Sequence, residues 1–133
     1  MLRARVALDE GDTSKSLEIL QQATSYESGV PKSTIHALFG ALYPIDVRGE
    51  TYLAEGRGNE AVAQFQKILD YRGIVVSDPI GAMASLHLAR AYAVSGDRTK
   101  AKAAYQDFFA LWKDADPDIP ILKQAKAEYA KLQ

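Results

Sequence analysis

Apolar residues between Ala61 and Leu69 fall at Ala61, Val62, Phe65, Ile68 and Leu69, a spacing of i, i+1, i+4, i+7, i+8 that traces one stripe of a helix. The same periodicity runs through Ala101, Ala104, Tyr105, Phe108, Leu111 and Trp112, and through Leu17, Leu20 and Ala23 with Ile19 beside them. Near the end, Ile121, Leu122, Ala125, Tyr129 and Leu132 form a stripe opposite Lys123, Gln124, Lys126, Glu128 and Lys131. Punctuation separates these segments. Gly11, Gly56 and Gly96 each follow a helical stretch, where a glycine can take the left-handed conformation that satisfies the last carbonyls. Gly58-Asn59 and Asp97 then read as polar caps that open the next helix. Pro44 suits the first turn of a helix running to Glu55, and Asp78-Pro79 and Asp118 with Pro120 read as a cap followed by a first-turn proline. Ser28-Gly29 and Val30-Pro31 dissolve the pattern before Tyr43, leaving a connector with at most one short helix over Thr34–Leu42.

The elements repeat. Tyr52, Gly56, Ala61 and Phe65 recur as Tyr92, Gly96, Ala101 and Tyr105, each pair 40 positions apart, with a small residue three before the first tyrosine in both cases (Gly49, Ala89). Two antiparallel helices whose axes lie about 8–10 Å apart need small side chains where they cross, and Gly49 with Ala61, then Ala89 with Ala101, supply them. This set resembles the tetratricopeptide helix–turn–helix, whose period of about 34 residues is lengthened here by the segment YRGIVVSDP. Gly11, Ser16 and Leu20 repeat the spacing of Gly56, Ala61 and Phe65, so the first residues read as an incomplete unit. The resemblance implies an all-α fold, a right-handed α-solenoid of about two and a half helical-hairpin repeats, ending in a helix whose outer face is polar, as the last element of a stack requires. Its expected parts are a partial repeat at 1–25, a connector at 26–43, a repeat at 44–71, a loop at 72–78, a repeat at 79–113 and a capping helix at 117–133. About four leading positions of a full first repeat are missing before Met1, so the chain is expected to be a segment of a longer protein.

Composition narrows the chemistry. A chain of 133 residues can bury a core without metal or disulfide. With no cysteine, thiolate zinc sites, thiol catalysis and disulfides are excluded, and the compartment stays open. The 16 basic and 17 acidic residues are interspersed, with no basic stripe to suggest nucleic acid. The longest stretch free of charged side chains, Ser33–Ile45, is 13 residues and contains Pro44, too short to insert in a bilayer. The N-terminal residues lack the apolar run and cleavage site of a signal peptide, so the segment reads as soluble.

No catalytic residue, cofactor or metal site is legible. Gly56 to Ala61 formally fits G-x-G-x-x-A, but that fingerprint needs a preceding strand, and Val47–Glu55 is helical in pattern. Asp114, Asp116 and Asp118 match the first ligand positions of a calcium loop, yet Ile119 and Ala125 stand where glycine and a bidentate glutamate belong. His36 and His87 have no second ligand at metal-binding spacing and read as packing or surface residues.

Two stretches, FQKILDYRGIVVSDPIGAMASLHLARAYAVSGD and FFALWKDADPDIPILKQAKAEYAKL, resemble the C-terminal tetratricopeptide region of certain bacterial, membrane-associated eukaryotic-like serine/threonine protein kinases and related signalling proteins. The resemblance implies a sensory or docking part of a larger, membrane-anchored regulator. It carries no kinase chemistry, because a glycine-rich phosphate loop, H-R-D and D-F-G are all missing. By register with the family, the positions facing the concave side are Asp46, Glu50, Leu53, Met83, Leu86, His87 and Arg90. The acidic Asp46 and Glu50 argue against a peptide's terminal carboxylate as ligand. The expected function is a non-catalytic scaffold for a protein or peptide partner, with self-association through the N-terminal helix as a further option. The alternative is a small-ligand or peptide sensor, which a pocket lined by Tyr43, Asp46, Glu50, His87 and Arg90 would favour.

Overall fold

In a computed structural model that describes residues 1–27, 35–71 and 79–133, the chain is all-α. Seven helices follow one another among the described residues: α1 (Leu2–Asp9), α2 (Thr13–Glu27), α3 (Ile35–Ala54), α4 (Gly58–Asp70), α5 (Pro79–Ser95), α6 (Arg98–Leu111) and α7 (Pro120–Ala130). The loop expected at 72–78, including the predicted cap Asp78, lies outside the described residues, as do Ser28-Gly29 and Val30-Pro31.

Consecutive helices pack in pairs, α1 on α2, α3 on α4 and α5 on α6, and each pair also touches the next through α2 with α3 and α4 with α5. Alternate helices meet as well, α1 with α3 and α3 with α5. The turn inside each pair is built the same way. Gly11, Gly56 and Gly96 have φ of 81°, 72° and 87°, a left-handed conformation that only glycine takes without strain. At each, the glycine N–H bonds a carbonyl three residues back, Leu8, Leu53 or Ala93. The next N–H reaches five back, from Asp12 to Ala7, Arg57 to Tyr52 and Asp97 to Tyr92. These two bonds close the helix end in a Schellman arrangement.

Burial repeats with the turns. Five residues after each glycine stand Ser16, Ala61 and Ala101, all fully buried, and nine after stand Leu20, Phe65 and Tyr105, exposed by 2% or less. Seven before stand Ala4, Gly49 and Ala89, also buried. Three cores result: Ala4, Leu20 and Val47 between α1, α2 and α3; Phe65, Ile68, Ile80 and Leu88 with their neighbours between α3, α4 and α5; and Leu86, Tyr105, Phe108 and Leu122 between α5, α6 and α7. In the first pair the small position is polar, and Ser16 Oγ hydrogen-bonds Thr51 Oγ1 at 3.1 Å inside the core.

The structure departs from the sequence reading at three helix starts. First, α2 runs to Glu27 and α3 begins at Ile35, so both helices reach into the connector expected at 26–43. Pro44 sits inside α3 and not in its first turn. Proline in a helix interior costs roughly 3 kcal/mol through the lost bond to the preceding turn, but Leu42 and Ile45 on either side are buried in the second core and offset it. Second, α4 has no side-chain cap: its N-cap is Arg57, and Gly58 is already helical. Third, Ile119 and not Asp118 is the N-cap of α7; Asp118 lies exposed and pairs with Lys123. Among the described residues expected to cap, Asp97 alone accepts a helix N–H, that of Lys100 at 3.0 Å, which Asp12 matches with Lys15 in the first turn.

What Gly58 provides is closeness. A Cβ there would lie 2.4 Å from the backbone nitrogen of Ser95 and 2.8 Å from the carbonyl oxygen of Ala91, so the start of α4 abuts the end of α5. Gly49 is tight in another way, since a Cβ would meet the Phe65 ring at 2.6 Å. A ring can shift and a helix backbone cannot. Gly49→Ala is therefore expected to cost about 1–3 kcal/mol, the usual range for overpacking, and Gly58→Ala more. Urea unfolding of the two variants checks this, and an equal or reversed order would refute the backbone contact as the tighter constraint.

Candidate functional site

Helices α3 and α5 each bury one side in the second core and turn another toward a shared cleft of about 420 Å3. Asp46 and Glu50, four residues apart on α3, stand on one face of that helix. Met83, His87 and Arg90 come from the facing stripe of α5, with Tyr43, Ile80 and Ile121 at the edges and Arg5 reaching in from α1.

Five of the seven predicted positions thus meet: Asp46, Glu50, Met83, His87 and Arg90. The other two do not line the cleft. Leu86 is fully buried in the third core, and Leu53 is half-buried against the second. Register alone placed them on the inner side, but α6 and α4 pack over those parts of α5 and α3. Arg5 is the charged cleft residue that sequence reasoning missed, because nothing in the spacing of α1 says that its side chain reaches α3; Pro79, Ile80 and Ile121 were not expected there either.

Every charged group in the cleft has a partner. Arg5 Nη1 donates to Glu50 Oε2 at 2.7 Å, and the pull of Glu50 and Asp9 raises its pKa although partial burial works against the charge. His87 Nδ1 lies 3.3 Å from Asp46 Oδ1, and the imidazole ring packs at 5.1 Å, tilted, against Phe65. Arg90 grips Glu128 of α7 with two bonds, Nε to Oε2 at 2.9 Å and Nη2 to Oε1 at 3.0 Å. Tyr105 OH donates to the same carboxylate at 2.8 Å. Arg90 is therefore engaged in holding the last helix, and the carboxylates Asp46 and Glu50 with His87 form the polar floor of the cleft.

Comparison with protein-family models, with curated proteins and with solved structures finds no match. The function must be argued from the cleft itself.

The other motifs resolve as structural features. The glycines at 56 and 58 follow helix α3 and serve the turn and the α4–α5 contact. Asp116 Oδ1 accepts the N–H of Asp118 at 2.8 Å and so closes a turn before α7. The side chain of His36 lies outside the described part of α3. Among the described residues no helix is long and apolar enough to cross a membrane.

The attachment of α7 depends on pH in a definite direction. Burial raises the pKa of Glu128, but the bonds from Arg90 and Tyr105 outweigh it and hold the carboxyl below its usual value. Burial, with the bond to Glu128, pushes the Tyr105 phenol up, so it remains a donor throughout the neutral range. A carboxyl with a depressed folded pKa stabilises the fold above its unfolded value of about 4.3, and that contribution fades as pH falls through the folded value. Glu128→Gln is expected to cost about 1–3 kcal/mol at pH 7 and to differ much less from the parent at pH 3. Denaturant unfolding at both pH values measures the gap, and a gap unchanged at pH 3 would refute the ionic character of the lock.

Proposed function

We propose that this chain is a non-catalytic protein-interaction scaffold of tetratricopeptide-like hairpins, a right-handed solenoid of about two and a half repeats closed by α7. In this reading it is the C-terminal docking or sensory module of a bacterial signalling protein such as a eukaryotic-like serine/threonine kinase, and it binds a protein or peptide in the cleft between α3 and α5. The observation that carries the reading is the threefold recurrence of one turn. Gly11, Gly56 and Gly96 share left-handed φ and the same pair of closing bonds, with buried small and large residues at matching distances behind them. A chain that rebuilds one hairpin three times and lets alternate helices touch produces an extended inner surface more readily than an enclosed reaction chamber.

The cleft suits a segment with apolar and basic side chains. Met83, Tyr43, Ile80 and Ile121 offer apolar contact, while Arg90 is paired with Glu128 and Arg5 with Glu50, which leaves Asp46 to set the sign of the charge. A second reading, a small-ligand or peptide sensor, is favoured by the gathering of Tyr43, Asp46, Glu50, His87 and Arg90 around one opening. Self-association through the N-terminal helix is supported by Leu2 and Val6, exposed beside a groove between α1 and α2.

Selection of random peptides against the chain, in buffer containing a metal chelator, tests the docking reading. Enriched sequences are expected to pair a basic residue with apolar ones, to shift the amide resonances of α3 and α5, and to bind at least tenfold more weakly to an Asp46→Asn, Glu50→Gln double variant. Binders that perturb only α1 and α2, or that ignore the double variant, would refute the cleft as the docking surface.

A further inference from the structure

Asp46, Glu50 and His87 converge although no sequence spacing announces them: two carboxylates one helical turn apart on α3 face an imidazole 41 positions away on α5. One ligand atom from each can be chosen so that all three lie within 4.8 Å of one another. His87 Nδ1 and Asp46 Oδ1 are 3.3 Å apart. Nitrogen and oxygen ligands held about 2.0–2.2 Å from a zinc ion at tetrahedral angles sit roughly 3.3–3.6 Å from each other, so this pair has the spacing of two coordinated atoms. Glu50 offers the third ligand atom within the same 4.8 Å.

We infer that Asp46, Glu50 and His87 form a binding site for a divalent transition-metal ion such as zinc. The chemistry of the set favours that class: imidazole suits zinc, copper, iron and nickel, whereas all-oxygen sets suit magnesium and calcium. Two carboxylates and a neutral imidazole neutralise a doubly charged ion. The surroundings fit as well. The side chains of His87 and Asp46 are 10% and 14% exposed, so an ion there is partly dehydrated. The Phe65 ring braces the imidazole, and the ligands lie on two helices that a rigid core holds together. With three protein ligands, further coordination positions open into the cleft for water or for a donor group on a bound molecule.

Arg5 is the internal competitor. Its guanidinium holds Glu50 at 2.7 Å and must release it when the ion binds. Metal binding therefore exchanges an α1–α3 tether for an α3–α5 one, linking site occupancy to the hold on the first helix.

Isothermal titration of the full chain with zinc chloride, with cobalt(II) absorption as a second probe, tests this. The expected result is one ion per chain, at least tenfold weaker binding for His87→Gln and for Asp46→Asn, and tighter binding for Arg5→Ala, which frees Glu50. Glutamine can keep the hydrogen bond to Asp46, so His87→Gln is the variant expected to stay folded, and thermal unfolding without metal checks that; if it unfolds, the Asp46→Asn, Glu50→Gln pair takes its place. Asp116→Asn, in the exposed acidic turn before α7, is expected to bind like the parent. No saturable binding, loss of binding in Asp116→Asn, or binding indifferent to the His87 and Asp46 changes would overturn the inference. Peptide docking is measured in chelator and the metal without peptide, so either reading can fail alone.

Discussion

Helix α5 is surrounded, and the rest of the molecule depends on that being sterically permitted. It packs against α3, α4 and α6 and shares the third core with α7 through Leu86 and Ala89, so an unbroken series from Ala84 to Ala89 is buried, with Ala91 beyond it. A helix can take neighbours on several sides only if its surface is shallow where they cross it. Gly81, Ala84, Ser85, Ala89 and Ala91 give α5 that surface, and Gly58 lets the start of α4 reach its last turn at backbone distance. The large side chains Phe65, Tyr105 and Phe108 are supplied by the partner helices instead.

The two ends of the stack are fastened by different physics. At the C-terminus α7 combines a stripe of Leu122 and Ala125 with a charged contact, the Glu128 carboxylate shared by Arg90 and Tyr105. Tyr105, which takes part in that contact, also belongs to a chain of ring pairs with Phe109, Tyr129, Phe108 and Trp112, centroids 5.3–6.3 Å apart. Removing either charge would leave its partner partly buried and unpaired, which is costly. At the N-terminus α1 brings only Ala4 and Ala7 into the interior, and its other tie to α3 is the Arg5–Glu50 pair, 44% and 22% exposed. Exposed pairs of this kind are worth about 0–1 kcal/mol.

The helices with clean 3.6-residue stripes were legible in the sequence, as were the turns at Gly56 and Gly96 and the small residues beneath them, because each of those features is local. Misread features were the ones decided by contacts remote in sequence. Pro44 carries a helix-start signal, yet it sits inside α3 between Leu42 and Ile45, both buried in a core formed with distant helices. Gly58 looked like part of a cap because caps are local, whereas its reason is the backbone of Ser95, 37 positions on. Asp46, Glu50, Met83, His87 and Arg90, which register put on one side of their helices, line one cleft. Register could not say that Leu86 would be covered by α6, that Arg90 would be engaged by Glu128, or that Arg5 would arrive from another hairpin.

Core and cleft are joined at one contact chain. Gly49 leaves the space that the Phe65 ring fills, the same ring lies against His87, and His87 meets Asp46 on the helix that carries Gly49. The residues next to Gly49 extend this outward: Glu50 lies in the cleft, and Arg48 bonds the carbonyl of Leu20 and the hydroxyl of Thr24 on α2. A change in how closely α3 and α4 approach must therefore displace the imidazole relative to both carboxylates. The imidazole is thus positioned by the packing of small side chains beneath it, and its distance from Asp46 follows the spacing of the helices that bear the two.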